Sequence, residues 1–453
     1  MEALLKNALG HARADYVEVR AEELAATQIA YVGKELEEIS EFTSVGGSVR
    51  ALVRGGWGFV SFNDLTDLAR YVRLACEQAA MVGGKGSQLA SVRPACDAVT
   101  SRAGMDPRAV PLADKEALCR RYNERILAHE RIQTSSVRYG DGWVRSFFVS
   151  SEGASLCQEA LFCGAALAAI ARDGMNVQRA SHGTGDLRGF QIVENLDAEC
   201  ETVAERAIGL LAAKPVEAGR YTVVVDPLLG GVFAHEAFGH LSEADFVYEN
   251  PPLREMMQLG RRFGPEHLSI LDDPTLPGEA GSYRYDSEGT PARRTHLIRD
   301  GVLASRLHSR ETAAKMNEAP TGNARALSHE FPPIVRMSNT YIEPRQWRFE
   351  DLLADTGEGL YARGTLGGQT DMEMFTFSAE EAFLIRGGRL AERVREVVLT
   401  GNVFETLANI DAVGNDLRFL GGLGGCGKND QSPLRVSTGA PHFRIRNCLV
   451  GGR

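Results

Sequence analysis

Residues 235–240 read H-E-A-F-G-H. The run resembles the H-E-x-x-H metal-binding signature, in which two histidines four apart share a helix face beside a glutamate, but it carries one residue more. Each α-helical residue turns about 100°, so positions five apart diverge by roughly 140°. A single π-type turn, with about 4.4 residues in place of 3.6, brings them to within roughly 50° of each other. Such turns are rare and occur often at functional sites, and Gly239 is a natural place for the distortion. Regular geometry would instead leave one buried and one exposed histidine on an ordinary helix.

A catalytic zinc needs three protein ligands, an open position for water and a carboxylate beside that water. His235 and His240 offer two imidazoles and Glu236 the carboxylate, so a third ligand decides the matter. Glu243, three residues beyond His240, reaches round if the helix continues, although a solvated helix-terminal glutamate is the more ordinary account. Cys426 is the stronger candidate, because G-G-L-G-G-C-G-K sets a small thiol in a glycine-rich loop where the backbone can approach closely. Cys448, by contrast, sits in an apolar run. The same loop, residues 422–429, also matches G-x-x-x-x-G-K of a phosphate-binding loop. Against that reading stand Asn429 where Ser or Thr should hold magnesium, Pro433 where a helix should start, and the short stretch left for a nucleotide domain.

At 453 residues the chain exceeds one compact core, and its 43% hydrophobic and 24% charged residues describe an ordered globular protein. A formal charge of −10 without clustered Lys and Arg gives no footprint for nucleic acid. The first residues, M-E-A-L-L-K-N-A-L-G-H, lack a signal-peptide core, and the longest apolar run, residues 160–171, is too short to cross a bilayer as a helix. No membrane association is expected. The cysteines at 76, 96, 119, 157, 163, 200, 426 and 448 form no C-x-x-C pair, as expected of reduced thiols in a cytoplasmic protein.

Strand-like pieces at 16–20, 27–32, 48–54 and 56–62 suggest antiparallel hairpins. They are followed by a helix in which Leu65, Leu68, Val72, Ala75, Cys76 and Ala79 share a face and Asn63 is the N-cap. Further helices are expected at about 113–131, through Leu118, Tyr122, Ile126 and His129, and at about 196–213. Pro215 and Gly219 mark a boundary. Asp226 followed by Pro227 is an N-cap and first-turn pair that launches a helix into the opening motif. Beyond it, short strands dominate, with hairpin turns at R-D-G and R-G-G inside 294–303 and 382–390. The fold class is α+β. Residues 1–214 form an α/β domain with an antiparallel sheet and packed helices, and 215–453 a mainly antiparallel, barrel-like β domain carrying the metal-site helix.

Several stretches occur in a specific order: H-E-A-F-G-H, E-A-D-F at 243–246, G-S-Y-R-Y-D-S-E-G-T-P at 281–291, E-A-P-T-G-N-A-R at 318–325, M-S-N-T-Y at 337–341, F-S-A-E-E-A-F-L-I at 377–385, V-G-N-D at 413–416 and C-G-K at 426–428. Together they resemble the TldD/PmbA family of metallopeptidases over nearly all of the second half. The first half is similar more loosely, through A-D-Y-V-E-V-R and G-W-G-F-V-S-F-N-D-L. The resemblance is to catalytic members. It implies zinc held by His235, His240 and Cys426, with Glu236 as general base toward the zinc-bound water, cleaving peptide bonds in unfolded or flexible polypeptides. It also implies a dimer, either of two copies or with a non-catalytic partner of the family. Met374 stands where the family commonly has glycine, a departure that can reshape the substrate groove.

Substrate contacts are expected from the free backbone amides of L-G-G-Q-T-D, at Gly367, Gly368 and Gln369, where a peptide can add as a strand. Tyr283 and Tyr285 are candidates for the oxyanion. Two other classes stay open: a hydrolase dedicated to one modified peptide or small amide, and a non-catalytic peptide-binding subunit with structural histidines.

Overall fold

The computed structural model describes residues 1–84, 86–371 and 373–451. The N-terminal half is built on long hairpins. Strands β1 (Tyr16–Val32), β2 (Glu35–Val53), β3 (Gly56–Phe62), β4 (Cys96–Val99), β5 (Ile132–Ser150), β6 (Ser155–Asp173) and β7 (Asn176–Asp186) form one sheet ordered β3-β2-β1-β5-β6-β4, with β7 also on β6. Every pairing is antiparallel except β4 with β6.

Four helices cover this sheet: α1 (Glu2–Leu9), α2 (Leu68–Val82), α3 (Leu112–Leu127) and α4 (Asp197–Leu211). Val17, Val19 and Ala21, early in β1, are buried with Leu5, Val72 and Ala75 of α1 and α2. Ile29 and Tyr31, near its end, are buried with Tyr122 and Ile126 of α3 and Val203 and Ala207 of α4. The apolar run 160–171 is the buried middle of β6, as its length requires.

Two local expectations are corrected. The pieces at 16–20 and 27–32 belong to one strand, and α2 begins at Leu68 with Asp67, not Asn63, as its N-cap. The Asp67 carboxylate accepts from the Arg70 N–H, while Asn63 is occupied by the His329 ring, 2.9 Å away.

In the C-terminal half, a ten-stranded sheet runs from edge strand Gly367–Asp371 through Met374–Ser378, Val398–Asn402, Phe443–Gly451 and Gly219–Val225. It continues to Gly359–Arg363 and ends at Lys214–Pro215. The two ends do not pair among the described residues, so the sheet is an open path and not the barrel-like closure expected. A second, six-stranded sheet includes Ile270–Asp272, Asn339–Ile342 and Ser437–Ala440. The R-D-G step is the expected tight turn, with φ of 50° at Asp300 and 79° at Gly301, a backbone that glycine adopts without strain.

Helix α5 (Pro227–Ala234) lies between the two sheets. Asp226 caps it by accepting from the Leu229 N–H, and Pro227 occupies the first turn, as the sequence implies. Phe233 packs edge-on to Phe375 and Phe377 and against Phe443 of the large sheet, while Gly231 lies against the backbone of Thr438 and Gly439 on the other. Burying α5 on both sides fixes where its C-terminal end emerges, and that end is the opening motif.

Candidate metal centre

Helix α5 passes without a break into a π turn over His235–Gly239, closed by the His240 N–H donating to the His235 carbonyl five residues back. A 3-10 turn over His240–Ser242 then ends the helical run. Gly239 lets the turn pack closely, because a Cβ there would meet the Met337 sulfur at 2.0 Å, and Met337 is itself fully buried. The π turn brings the two imidazoles together, with ring centroids 5.1 Å apart at 82°.

Cys426 opens a short strand, Cys426–Lys428, paired with Gln431–Leu434. Its Sγ lies 3.4 Å from His240 Nε2, and one ligand atom from each of His235, His240 and Cys426 falls within 4.8 Å of the others. Both His235 and Cys426 are buried. The Glu236 carboxylate stands beside the group, 3.9 Å from His240 Nε2, with its side chain partly exposed.

The electrostatics suit a metal. Burial works against a charged sulfur, yet the His235 and His240 imidazoles hold the Cys426 thiol down to about 5, so it is a thiolate at neutral pH. Burial likewise opposes a charged His240, but the Glu243 carboxylate and the Cys426 sulfur raise it to about 11. His235 Nδ1 is buried without a hydrogen-bond partner. Two imidazoles, one of them with an unpartnered ring nitrogen, and a thiolate form a three-residue donor set that fits a borderline-soft divalent metal, whose binding would displace the proton from His240.

Glu243, weighed from sequence as a ligand, has a different position. It is fully buried and its carboxylate accepts from His240 Nδ1 at 3.0 Å, which leaves Nε2 facing Cys426. Lys428, overlooked in the sequence, lies 3.1 Å from Glu243 and donates to Asp245 at 2.7 Å and to the Val335 carbonyl at 2.9 Å. This occupancy removes it from any phosphate loop, as does the turn through Asn429 and Asp430 into a strand rather than a helix. The C-G-K and E-A-D runs were the available signals, since a lysine two residues after a clustered cysteine can reach a nearby carboxylate. Replacing Lys428 by Met strands the buried Glu243 charge and should lower unfolding free energy by about 3 kcal/mol. Denaturant titration checks this, and combining it with Glu243→Gln should restore part of the loss.

Among the other sequence candidates, Gly367, Gly368 and Gln369 are exposed on the edge strand Gly367–Asp371, which packs beside the π turn. The structure does not bring Tyr283 and Tyr285 to the triad. Tyr283 donates to the Gly322 carbonyl and Tyr285 to Asp97, and both line a cleft of about 1200 Å³ between the N- and C-terminal halves.

The sequence matches the PmbA/TldA metallopeptidase domain 1 over residues 17–79, the central domain over 106–213 and the C-terminal domain over 218–452. It is 46% identical to a metalloprotease of Synechocystis sp. over 97% of this chain and 95% of that protein. It is 27% identical, over 97% of each chain, to a protein of Saccharolobus solfataricus named a zinc metalloprotease TldD homolog. The solved structure of TldE from Thermococcus kodakarensis has the same fold, with a TM-score of 0.78 at 16% identity and all of both chains covered. Fold, site and relatives define a metallopeptidase. The chain belongs to the PmbA/TldD family.

Proposed function

We propose that this metallopeptidase is a zinc enzyme that cleaves peptide bonds in unfolded or flexible polypeptides, with His235, His240 and Cys426 as ligands and Glu236 as general base. The observation that carries this reading is the π turn, which aligns histidines five apart and sets Glu236 at their side. The thiolate and two imidazoles favour zinc over harder metals, and the Saccharolobus relative is named for zinc. Zinc held there supplies Lewis acidity. Glu236 takes a proton from the attacking water and passes it to the departing amine. Glu243, backed by Lys428, keeps His240 in one tautomer.

Substrate adds as a strand along Gly367–Asp371. The outer edge of this strand has no partner among the described residues, and its backbone bonds are indifferent to side-chain identity. Gly367, Gly368 and Gln369 supply those amides, and the half-exposed Met374 at the start of the next strand limits what fits beside them. Residues 1–214 and 215–453 serve as the two structural units. Exposed Ile39 and Val45 on one face of β2 and Phe42 on the other give a dimer, with a second copy or a non-catalytic relative, apolar side chains to cover. Eight unpaired thiols favour the cytoplasm, and no helix is long and apolar enough to cross a membrane among the described residues.

The test compares an unfolded polypeptide with the same sequence folded. Only the unfolded form should be cut, a chelator should abolish cutting, and stoichiometric zinc should restore it. Activity unaffected by exhaustive chelation would refute the proposal.

A further inference from the structure

The cleft between the two halves carries one cation, Arg435, that no carboxylate balances among the described residues, with Arg325 and Arg20 beside it on the lining. Arg435 lies over the Phe162 ring at 4.1 Å, and its guanidinium has no carboxylate within 4.0 Å and no acceptor among the described residues. Burial pulls it down to about 10, opposed only by the more distant Asp141. Arg325 donates to the carbonyls of Met337 and Arg435 and sits 5.2 Å over the Tyr283 ring, so neutral groups alone aim it. Arg20, 7% exposed, gives one nitrogen to Glu22, while its buried Nη1 has no partner.

The acids that line the cleft do not compensate for them. Glu22 is held by Arg20 and the His329 N–H, Glu159 lies 3.6 Å from Arg145, Asp286 accepts the backbone N–H groups of Glu288, Thr290 and Ala324, and Glu330 is exposed. Arg435 and Arg325 are half-buried on the cleft wall, where a charged fork without a carboxylate partner is poised to take one from a ligand. The position is also specific. Leu434 is the register partner of Cys426, so the Arg435 backbone follows directly on the hairpin residue that faces the triad cysteine.

We infer that this cleft is a specificity subsite for a carboxylate of the peptide substrate, received by Arg435 and Arg325. The ligand class is a peptide bearing a free C-terminal carboxylate or an acidic side chain, bound with its scissile bond at the triad. A planar carboxylate suits a guanidinium fork, and the phenyl face beneath Arg435 holds that fork in place. This rests on the proteolytic reading of the triad, and the experiment separates the two.

Four hexapeptides that differ only in Glu or Gln at one position and in a free or amidated C-terminus are titrated calorimetrically into zinc-loaded Glu236→Gln protein, where no cleavage is needed. At least one acid form should bind about ten- to a hundredfold tighter than the doubly neutral peptide, and the pattern among the four identifies which carboxylate is read. Arg435→Gln should erase that preference without changing affinity for the neutral peptide, and Arg435→Lys should keep part of it. Equal affinity for all four peptides, no binding of any of them, or equal weakening of acid and neutral peptides by Arg435→Gln would overturn the subsite. If wild-type protein binds the acid peptide selectively and cleaves none, the subsite stands and the proteolytic reading falls.

Discussion

Substituting Glu236 by Gln should leave the metal in place and remove hydrolysis. The carboxylate lies 3.9 Å from His240 Nε2, close enough to address a water at the triad, and it is not one of the three clustered donors. Gln preserves shape and hydrogen bonding but cannot accept a proton, so the turnover rate should fall by about 10²–10⁴. Metal content by atomic emission should match the wild type. A variant that cuts an unfolded peptide at the wild-type rate would remove Glu236 from the reaction.

Cys426→Ser should do the reverse and strip the metal. Serine is nearly isosteric but neutral at physiological pH, whereas the thiol here is already ionised by the His235 and His240 imidazoles. The substitution removes both the soft donor and the anion that helps hold the charge on His240. Affinity, read by competition with a chromophoric chelator, should drop by more than the ten- to hundredfold typical of losing an outer hydrogen-bond partner. Full occupancy in the serine variant would dismiss Cys426 as a ligand.

Much of this site was legible because its constraints are local. Asp226 and Pro227 start α5, and the extra residue in H-E-A-F-G-H demands a π turn if both histidines are to face one way. Cys426 stood out through its glycine neighbours, although choosing it over Glu243 drew on family resemblance. What stayed hidden depends on distant partners. The outer half of β2, E-L-E-E-I-S-E-F, reads as charged and irregular because it is exposed on both faces, and only pairing with β1 makes it a strand. Asn63 looked like a helix cap because the competing His329 lies 266 positions away. Lys428 and Arg435 are ordinary cations in one dimension. Their surroundings, Lys428 buried beside Glu243 and Arg435 facing an acid-poor cleft, exist only once the halves have folded together. That the large sheet stays open among the described residues was equally invisible, since strand count does not reveal whether the ends meet.

The triad joins a helix end to a hairpin 186 residues further along. Bringing such remote points together costs about 4–5 kcal/mol of chain entropy, which the intervening sheets must provide before any metal can be shared. A chain still emerging from the ribosome therefore has two histidines and no thiolate to complete them. Proteolytic competence would arrive only after residues 227–426 have been made and packed, so a growing chain could not cut itself while its strands are still open to cleavage.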